Sequence, residues 1–379
     1  MSKSVLNIQE LSFWERISYF ESIDFIIIGA GIVGCSAALE LKSTYPNAKI
    51  VVLERSYLPS GASTKNAGFA CFGSPTELID DLKKNGATDV WETVAQRWEG
   101  LIRLKEIIGT EALDFQQHGS WDIIKSTEQK EIKPISDKIH TLNSELEKIT
   151  RSSQVFSEDQ KVADTFGFKG IASSFYNRLE GQIDTGKMML RFSQILAEKE
   201  IIQLNGIEVN EISSCGKILQ TTIGEINTNH TIITVNGFAQ RFLEEDVAPA
   251  RAQVIVTSRI PNLKLKGTFH YDAGYYYFRN FEDRILIGGG RNLDFIGETT
   301  SEIATTELII DSLTSLLSEV IIPGSPYSIE YQWAGIMGIG ATKKPIVKKI
   351  NDSLGVGVRL GGMGVAIGTN VGKEVAKLF

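Results

Sequence analysis

The chain is poor in the residues that build metal centres and disulfide frameworks. Its three cysteines, Cys35, Cys71 and Cys215, lie far apart with no CxxC pair. An odd, scattered set fits a reducing compartment better than a disulfide framework. The four histidines (His118, His140, His230 and His270) are equally dispersed and no HExxH occurs, so no metal site is expected. Long apolar runs are also missing. The stretch from Phe25 to Leu41 is interrupted by three glycines, Ser36 and Glu40, which argues against a membrane span. The segment up to Ser22 carries Lys3, Glu10, Glu15, Arg16 and Glu21 and has no apolar core of the signal-peptide kind. There is no basic excess: Lys+Arg is 39 against Asp+Glu 46, a net charge of −7. That balance argues against nucleic acid or an anionic membrane as the main partner. The expected location is cytoplasmic.

What remains is ordinary globular material, 42% hydrophobic and 22% charged over 379 residues. That length suits two or three domains. Residues 11–22 predict a short amphipathic helix through Leu11, Trp14, Ile17 and Phe20. The runs 24–28 and 49–53 predict buried strands around a helix over 32–44, a parallel βαβ unit. Residues 76–150 read as mostly helical, with a strand at 119–124 and a solvated helical face over 125–151. A helix is expected over 185–200, short strands near 206–213, 217–222 and 230–235, and several more over 251–290. Residues 302–317 return to helix, and a closing helix is expected from about Val371.

The βαβ unit carries Gly29-Ala30-Gly31-Ile32-Val33-Gly34, a GxGxxG run between strand and helix. Gly29 permits the tight turn, Gly31 lets the backbone approach a pyrophosphate, and Gly34 allows close helix–strand packing. The helix N-terminus at Ile32 and Val33 offers free N–H groups and a positive dipole. Glu54, followed by Arg55, ends the second strand 20 residues after Gly34, where a carboxylate accepts from ribose hydroxyls. The motif predicts a dinucleotide site but does not separate FAD from NAD. Glu54 would repel a 2′-phosphate, which disfavours NADP.

Soon after comes Gly61-Ala62-Ser63-Thr64-Lys65-Asn66-Ala67-Gly68-Phe69. Small and hydroxyl-bearing residues of this kind expose backbone N–H groups and admit a flat ring. With this run the sequence resembles the FAD-dependent D-amino-acid oxidase superfamily, which includes glycine oxidase and gamma-glutamylputrescine oxidase. Further segments match in order: Gly181–Asp184, Glu208-Val209, Thr234–Gly237 and Gly361–Ala366. The resemblance implies that Gly61, Ala62, Ser63, Thr64, Asn66, Ala67 and Gly68 lie along FAD. It implies that the backbone at Val209 meets the adenine and that Gly237 turns near the cofactor. It places Gly362, Met363, Gly364, Val365 and Ala366 in a loop beside the flavin.

On the substrate side the resemblance singles out Tyr276 as the tyrosine facing the substrate. Strand alternation puts Tyr276 and Phe278 on one face and Tyr275, Tyr277 and Arg279 on the other. The Trp333–Met337 segment resembles a family run that ends in a carboxylate-clamping arginine, and here that position is Met337. The departure points to a hydrophobic pocket or a non-carboxylate substrate, or to another cation (Arg279, Arg251 or Lys343) in the clamping role. His270 could be a base, although a lone strand histidine is more commonly a satisfied structural residue. Cys71 reads as a small buried hydrophobe.

The expected fold is α/β: a discontinuous Rossmann-like FAD-binding domain (1–88, 178–246 and 331–379) and a substrate domain on an antiparallel sheet (89–177 and 247–330). The expected activity is oxidation of a C–N bond of an amine or amino acid by hydride transfer to flavin. Oxidation of a hydroxy acid or other alcohol, or a non-catalytic flavin-binding role, are the alternatives. The substrate would be a small molecule. The electron acceptor stays open, with oxygen among the candidates.

Overall fold

The computed structural model describes residues 7–379; Lys3, part of the N-terminal reading, lies outside them. Two large sheets dominate. The first has six strands in the order Ile346–Asn351, Leu354–Val358, His230–Ile233, Phe25–Ile28, Ile50–Glu54, Ile202–Asn205. Its central strands pair in parallel, and only Ile346–Asn351 runs antiparallel at the edge. Phe25–Ile28 and Ile50–Glu54 are buried at every position. Strands covered on both faces read as unbroken apolar runs, as these do.

The second sheet has eight strands: Ile329–Ile339, Ala248–Thr257, Arg284–Gly289, Tyr276–Phe281, Thr268–Tyr271, Ser120–Lys125, Ile171–Asn177, Phe156–Asp159. All its junctions are antiparallel except that between Thr268–Tyr271 and Ser120–Lys125. One face packs on the helix Glu307–Leu316 through Phe269, Phe278, Ile287 and Leu313. The other face looks toward the glycine-rich loops of the first sheet.

Helices Ile32–Thr44, Ala87–Ile108 and Gly364–Ala376 pack together with very short separations. A side chain at Gly100 would strike the Ala366 carbonyl, and one at Gly372 would press on the backbone at Val33 and Ala37. The Thr369 hydroxyl donates to the Gly100 carbonyl at 2.7 Å.

Four expectations need correction. The closing helix begins at Gly364, not Val371. Gly364, Gly368 and Gly372 weaken its helical signal, yet Gly368 and Gly372 permit the close packing. Consequently Gly364, Val365 and Ala366 form the first helical turn instead of a loop. The helix expected over 302–317 starts at Glu307. The N-terminal segment forms one turn, Phe13–Glu15, capped reciprocally by Ser12 and Glu15, and then a wider turn over Arg16–Phe20. Trp14 and Ile17, expected on its buried face, are exposed. Finally, the strands Ile202–Asn205 and Gly224–Asn227 are four residues each, too short to leave a clear period.

Candidate active site

A cavity of about 830 Å³ lies between the two sheets. Its walls come from the turn after Phe25–Ile28, the end of Ile50–Glu54, the loop 59–69, and the segments 207–209, 234–242 and 335–343. The N-terminal turns of the helices Ile32–Thr44 and Gly364–Ala376 also line it. Two helix N-termini therefore turn the positive ends of their dipoles toward one space.

The residues at the glycine motif are shaped for a close ligand. Gly29 holds φ at +104°, a conformation that L side chains rarely adopt. A Cβ at Gly31 would stand 2.9 Å from the Ser63 hydroxyl, which accepts from the Ile32 N–H at 3.0 Å. Gly34 does not line the cavity; a Cβ there would collide with the Gly29 carbonyl, so its part is helix–strand packing. Glu54 is buried, and its two oxygens accept from the backbone N–H groups of Ala30 at 3.3 Å and Ser56 at 3.0 Å. Arg55 lies over the Phe238 ring at 4.0 Å.

Gly29, Gly31, Ile32, Val33, Glu54, Arg55, Gly61, Ala62, Ser63, Asn66, Ala67 and Val209 line the cavity. So do Gly362, Met363, Gly364, Val365 and Ala366. Thr64, Gly68 and Gly237 do not. The Thr64 hydroxyl donates to the Pro59 carbonyl at 2.7 Å. Gly68, with φ at +74°, packs against the Arg279 guanidinium. Gly237 packs on the Met337 carbonyl. These three support the walls from behind.

The eight-stranded sheet supplies the other wall. Tyr276, expected to face the substrate, points away: its hydroxyl pairs with Ser312 at 3.0 Å, and its ring packs in the helix-covered core. The next residue, Tyr277, lines the cavity instead. Strand alternation makes this a one-residue shift with a two-faced consequence. Tyr277 and His270 each meet the edge or face of Phe69, at 5.6 and 5.3 Å between ring centroids. Burial pushes the Tyr277 hydroxyl up to about 12. Met337 does line the cavity, its sulfur facing Gly362. The strand that carries it also touches the cofactor loop, where the Trp333 indole N–H donates to the Lys65 carbonyl at 2.9 Å.

The candidate cations separate clearly. Arg279 is buried behind Gly68, does not line the cavity, and is brought down to about 10 by burial. Arg251 is held by both oxygens of Glu298, at 2.8 and 3.0 Å. Lys343 lines the cavity but bonds Glu77 and Asp81, each at 2.8 Å. Arg291, which the sequence reading passed over, lines the cavity and has no ion-pair partner among the described residues. Its side chain donates to the Thr299 hydroxyl at 3.3 Å and lies 5.0 Å from the Phe295 ring centroid. No local motif marks it; only its place just after Gly289-Gly290 brings it to the cavity.

Comparison with known proteins decides the lineage. The family profile described as FAD dependent oxidoreductase (DAO) matches residues 24–378. The chain belongs to this family. The solved structures it resembles include L-proline dehydrogenase from P. horikoshii, at 17% identity and TM-score 0.74, covering 94% of this chain and 93% of that one. Glycine oxidase from Bacillus cereus is similar at 16% identity and TM-score 0.74, covering 94% and 97%. Iminodiacetate oxidase from Chelativorans sp. is similar at 17% identity and TM-score 0.73, covering 93% and 94%. No curated protein matches the sequence. The family cofactor is FAD, and the residues present fit it: a cradle at Gly31 that a side chain would fill, a buried carboxylate at Glu54, and two helix N-termini on one cavity. Among the described residues no helix is long and apolar enough to cross a membrane.

Proposed function

We propose that this FAD-dependent oxidoreductase oxidises the C–N bond of an amino acid, or of an amine that carries a carboxylate. The observation that carries this reading is Arg291, a guanidinium on the cavity wall without a carboxylate partner among the described residues. Its part-buried position brings its basicity down through loss of hydration. A substrate carboxylate would restore a charge-assisted pair there. Met337 removes the cation expected on its own strand, and Arg291 supplies one from the opposite segment.

Bound FAD supplies the hydride acceptor. Glu54, Ser63 and the two helix N-termini would hold the cofactor. Phe69, Tyr277 and Met337 form an apolar wall that excludes water and fixes the face on which the α-carbon lies. Glu77, Asp80 and Asp81 also line the cavity, but each is paired with a cation there, Lys343 or Lys84. The product imine would hydrolyse in water.

We also propose the domain division 1–88, 178–246 and 331–379 for the cofactor side and 89–177 and 247–330 for the substrate side. The membership of the six-stranded sheet supports it. The strand Ile329–Ile339, which pairs with Ala248–Thr257, bridges the last boundary.

The test is anaerobic bleaching of the flavin absorbance by a panel: glycine, both enantiomers of alanine and proline, 1,4-diaminobutane, and lactate. Bleaching by an amino acid is expected. Bleaching by lactate alone would transfer the assignment to a hydroxy acid. Bleaching by the diamine alone would remove Arg291 from the argument. Readmitting air then tells whether oxygen is the acceptor.

A further inference from the structure

A row of polar side chains crosses three strands of the eight-stranded sheet on its cavity face. The register sets Asp122 opposite His270, and His270 opposite Tyr277. Residues paired in this way share a face and lie within side-chain contact. His270 and Tyr277 line the cavity, while Asp122 is buried behind them. Glu180 approaches from a different segment. A Glu180 oxygen, a His270 nitrogen and the Cys71 sulfur lie within 4.8 Å of one another. Histidine and cysteine positions dispersed in sequence are thus gathered in space.

This cluster is incompletely satisfied. One Glu180 oxygen accepts from the N–H groups of Phe72 at 2.6 Å and Gly73 at 3.0 Å; the other has no partner. One Asp122 oxygen accepts from the Thr76 N–H at 2.9 Å; the other has none. His270 Nε2 is also buried and without a partner. Neither carboxylate has a Lys or Arg ion pair among the described residues. Both are pushed up, chiefly by burial. A buried acceptor left unpaired carries a desolvation penalty, and an imidazolium would supply both a donor and a compensating charge.

We propose that His270 accepts the proton from the substrate's ammonium group, with Glu180 and Asp122 as positioning residues that orient the ring and share its charge. The inference rests on the amine-oxidation reading. An ammonium nitrogen has no lone pair, so the α-carbon cannot release hydride until a proton has left. The substrate N–H bond breaks and a ring N–H forms. The freed nitrogen lone pair becomes the second bond of the iminium as the α-hydrogen leaves with its electron pair to the oxidant, FAD. The ring then returns its proton to solvent through the cavity.

The other groups facing His270 are unsuited to the task. Burial, reinforced by Glu180, pushes the Cys71 thiol well above its ordinary range. The Tyr277 hydroxyl stands at about 12. Burial opposes ionisation of Glu77, but Arg97 and Lys343 outweigh it and bring the carboxyl down to about 2. That anion is already engaged in its ion pairs.

The experiment compares wild type with His270→Asn and His270→Gln, each loaded with FAD. One readout is the pH dependence of kcat/KM for the panel member that bleaches the flavin. The second is the affinity for 2-aminoisobutyrate, which has no α C–H and cannot be oxidised, followed by the shift of the visible flavin band. In wild type, both reach a plateau well below the amine's own pKa. In the variants, both climb tenfold per pH unit up to that pKa. The kcat/KM deficit is about 10²–10⁴-fold at pH 7 and closes near pH 10. Glu180→Gln and Asp122→Asn shift the acid edge of the plateau to lower pH, an effect that lost packing alone would not produce. They also test the inference if the His270 variants fail to retain flavin. A His270 deficit of equal size at every pH, or none, overturns the assignment while leaving amine oxidation standing. Failure of every amine to bleach the wild-type flavin overturns both.

Discussion

Gly31 leaves little room for a side chain on the cavity side of the glycine motif. Its Cα faces the Ser63 hydroxyl across a space that one carbon would occupy. Gly31→Trp is expected to fold and to lose bound FAD; absorbance near the visible flavin maximum per mole of purified protein measures it. Stoichiometric flavin in that variant would refute this placement of the pyrophosphate. Arg291 makes a different demand. Arg291→Gln is expected to raise KM for a carboxylate-bearing substrate by roughly 10–150-fold, the worth of a charged hydrogen bond of about 1.5–3 kcal/mol. The non-carboxylate diamine should be unaffected, so the ratio of the two KM values isolates the carboxylate contact. At this scale Gly29, Gly31 and Ser63 were legible as cavity-lining positions because local backbone geometry demands those residue types, whereas Thr64, Gly68 and Gly237 stand behind the wall. Tyr276 and Tyr277 were not separable by resemblance, since one step along a strand reverses the face and adjacent tyrosines leave the sequence nearly unchanged. His270 looked isolated because its partners Asp122 and Glu180 are remote in the chain.

Among the elements, the helix Pro75–Lys84 ties several parts together. Ser74 caps it, with its side chain accepting from the Glu77 N–H at 3.4 Å. Glu77 in turn reaches Arg97 of Ala87–Ile108 at 3.2 Å and Lys343 at 2.8 Å. Burial acts against its ionisation, but the two cations bring it from 4.5 to about 2. A carboxyl lowered on folding stabilises the native state above its unfolded value, and that contribution fades as pH falls through about 2. Glu77→Gln is therefore expected to lose roughly 2–3 kcal/mol above pH 5. The difference from wild type should shrink progressively below pH 4.5; denaturant unfolding at several pH values checks it. A constant difference across that range would assign the loss to packing. The major helices and buried strands were readable from periodicity and apolar runs. The start of the closing helix was not, because glycines chosen for interhelical contact oppose helix formation when considered alone.

For the whole molecule, cofactor and fold are thermodynamically linked. A ligand that binds only the native state adds about 2.7 kcal/mol at a hundredfold excess over Kd. Stripping FAD should lower the unfolding midpoint, and added FAD should raise it in proportion to the logarithm of its concentration. An apoprotein whose melting ignores FAD would contradict the site. The existence of two sheets was legible from the buried βαβ runs near the N-terminus and the separate group of strand-like runs over 251–290. Their mutual arrangement was not, because it depends on contacts between segments remote in the chain, among them those of the strand Ile329–Ile339. That same strand contacts the cofactor loops at three places: Trp333 on Lys65, Gly335 against Lys65, and Met337 at Gly362. It acts as a seam. If a bound flavin leaves past this wall, it cannot depart faster than the seam parts, however weak its own contacts. The residence time of the flavin and the solvent exchange of the amide hydrogens along this strand should therefore share one clock.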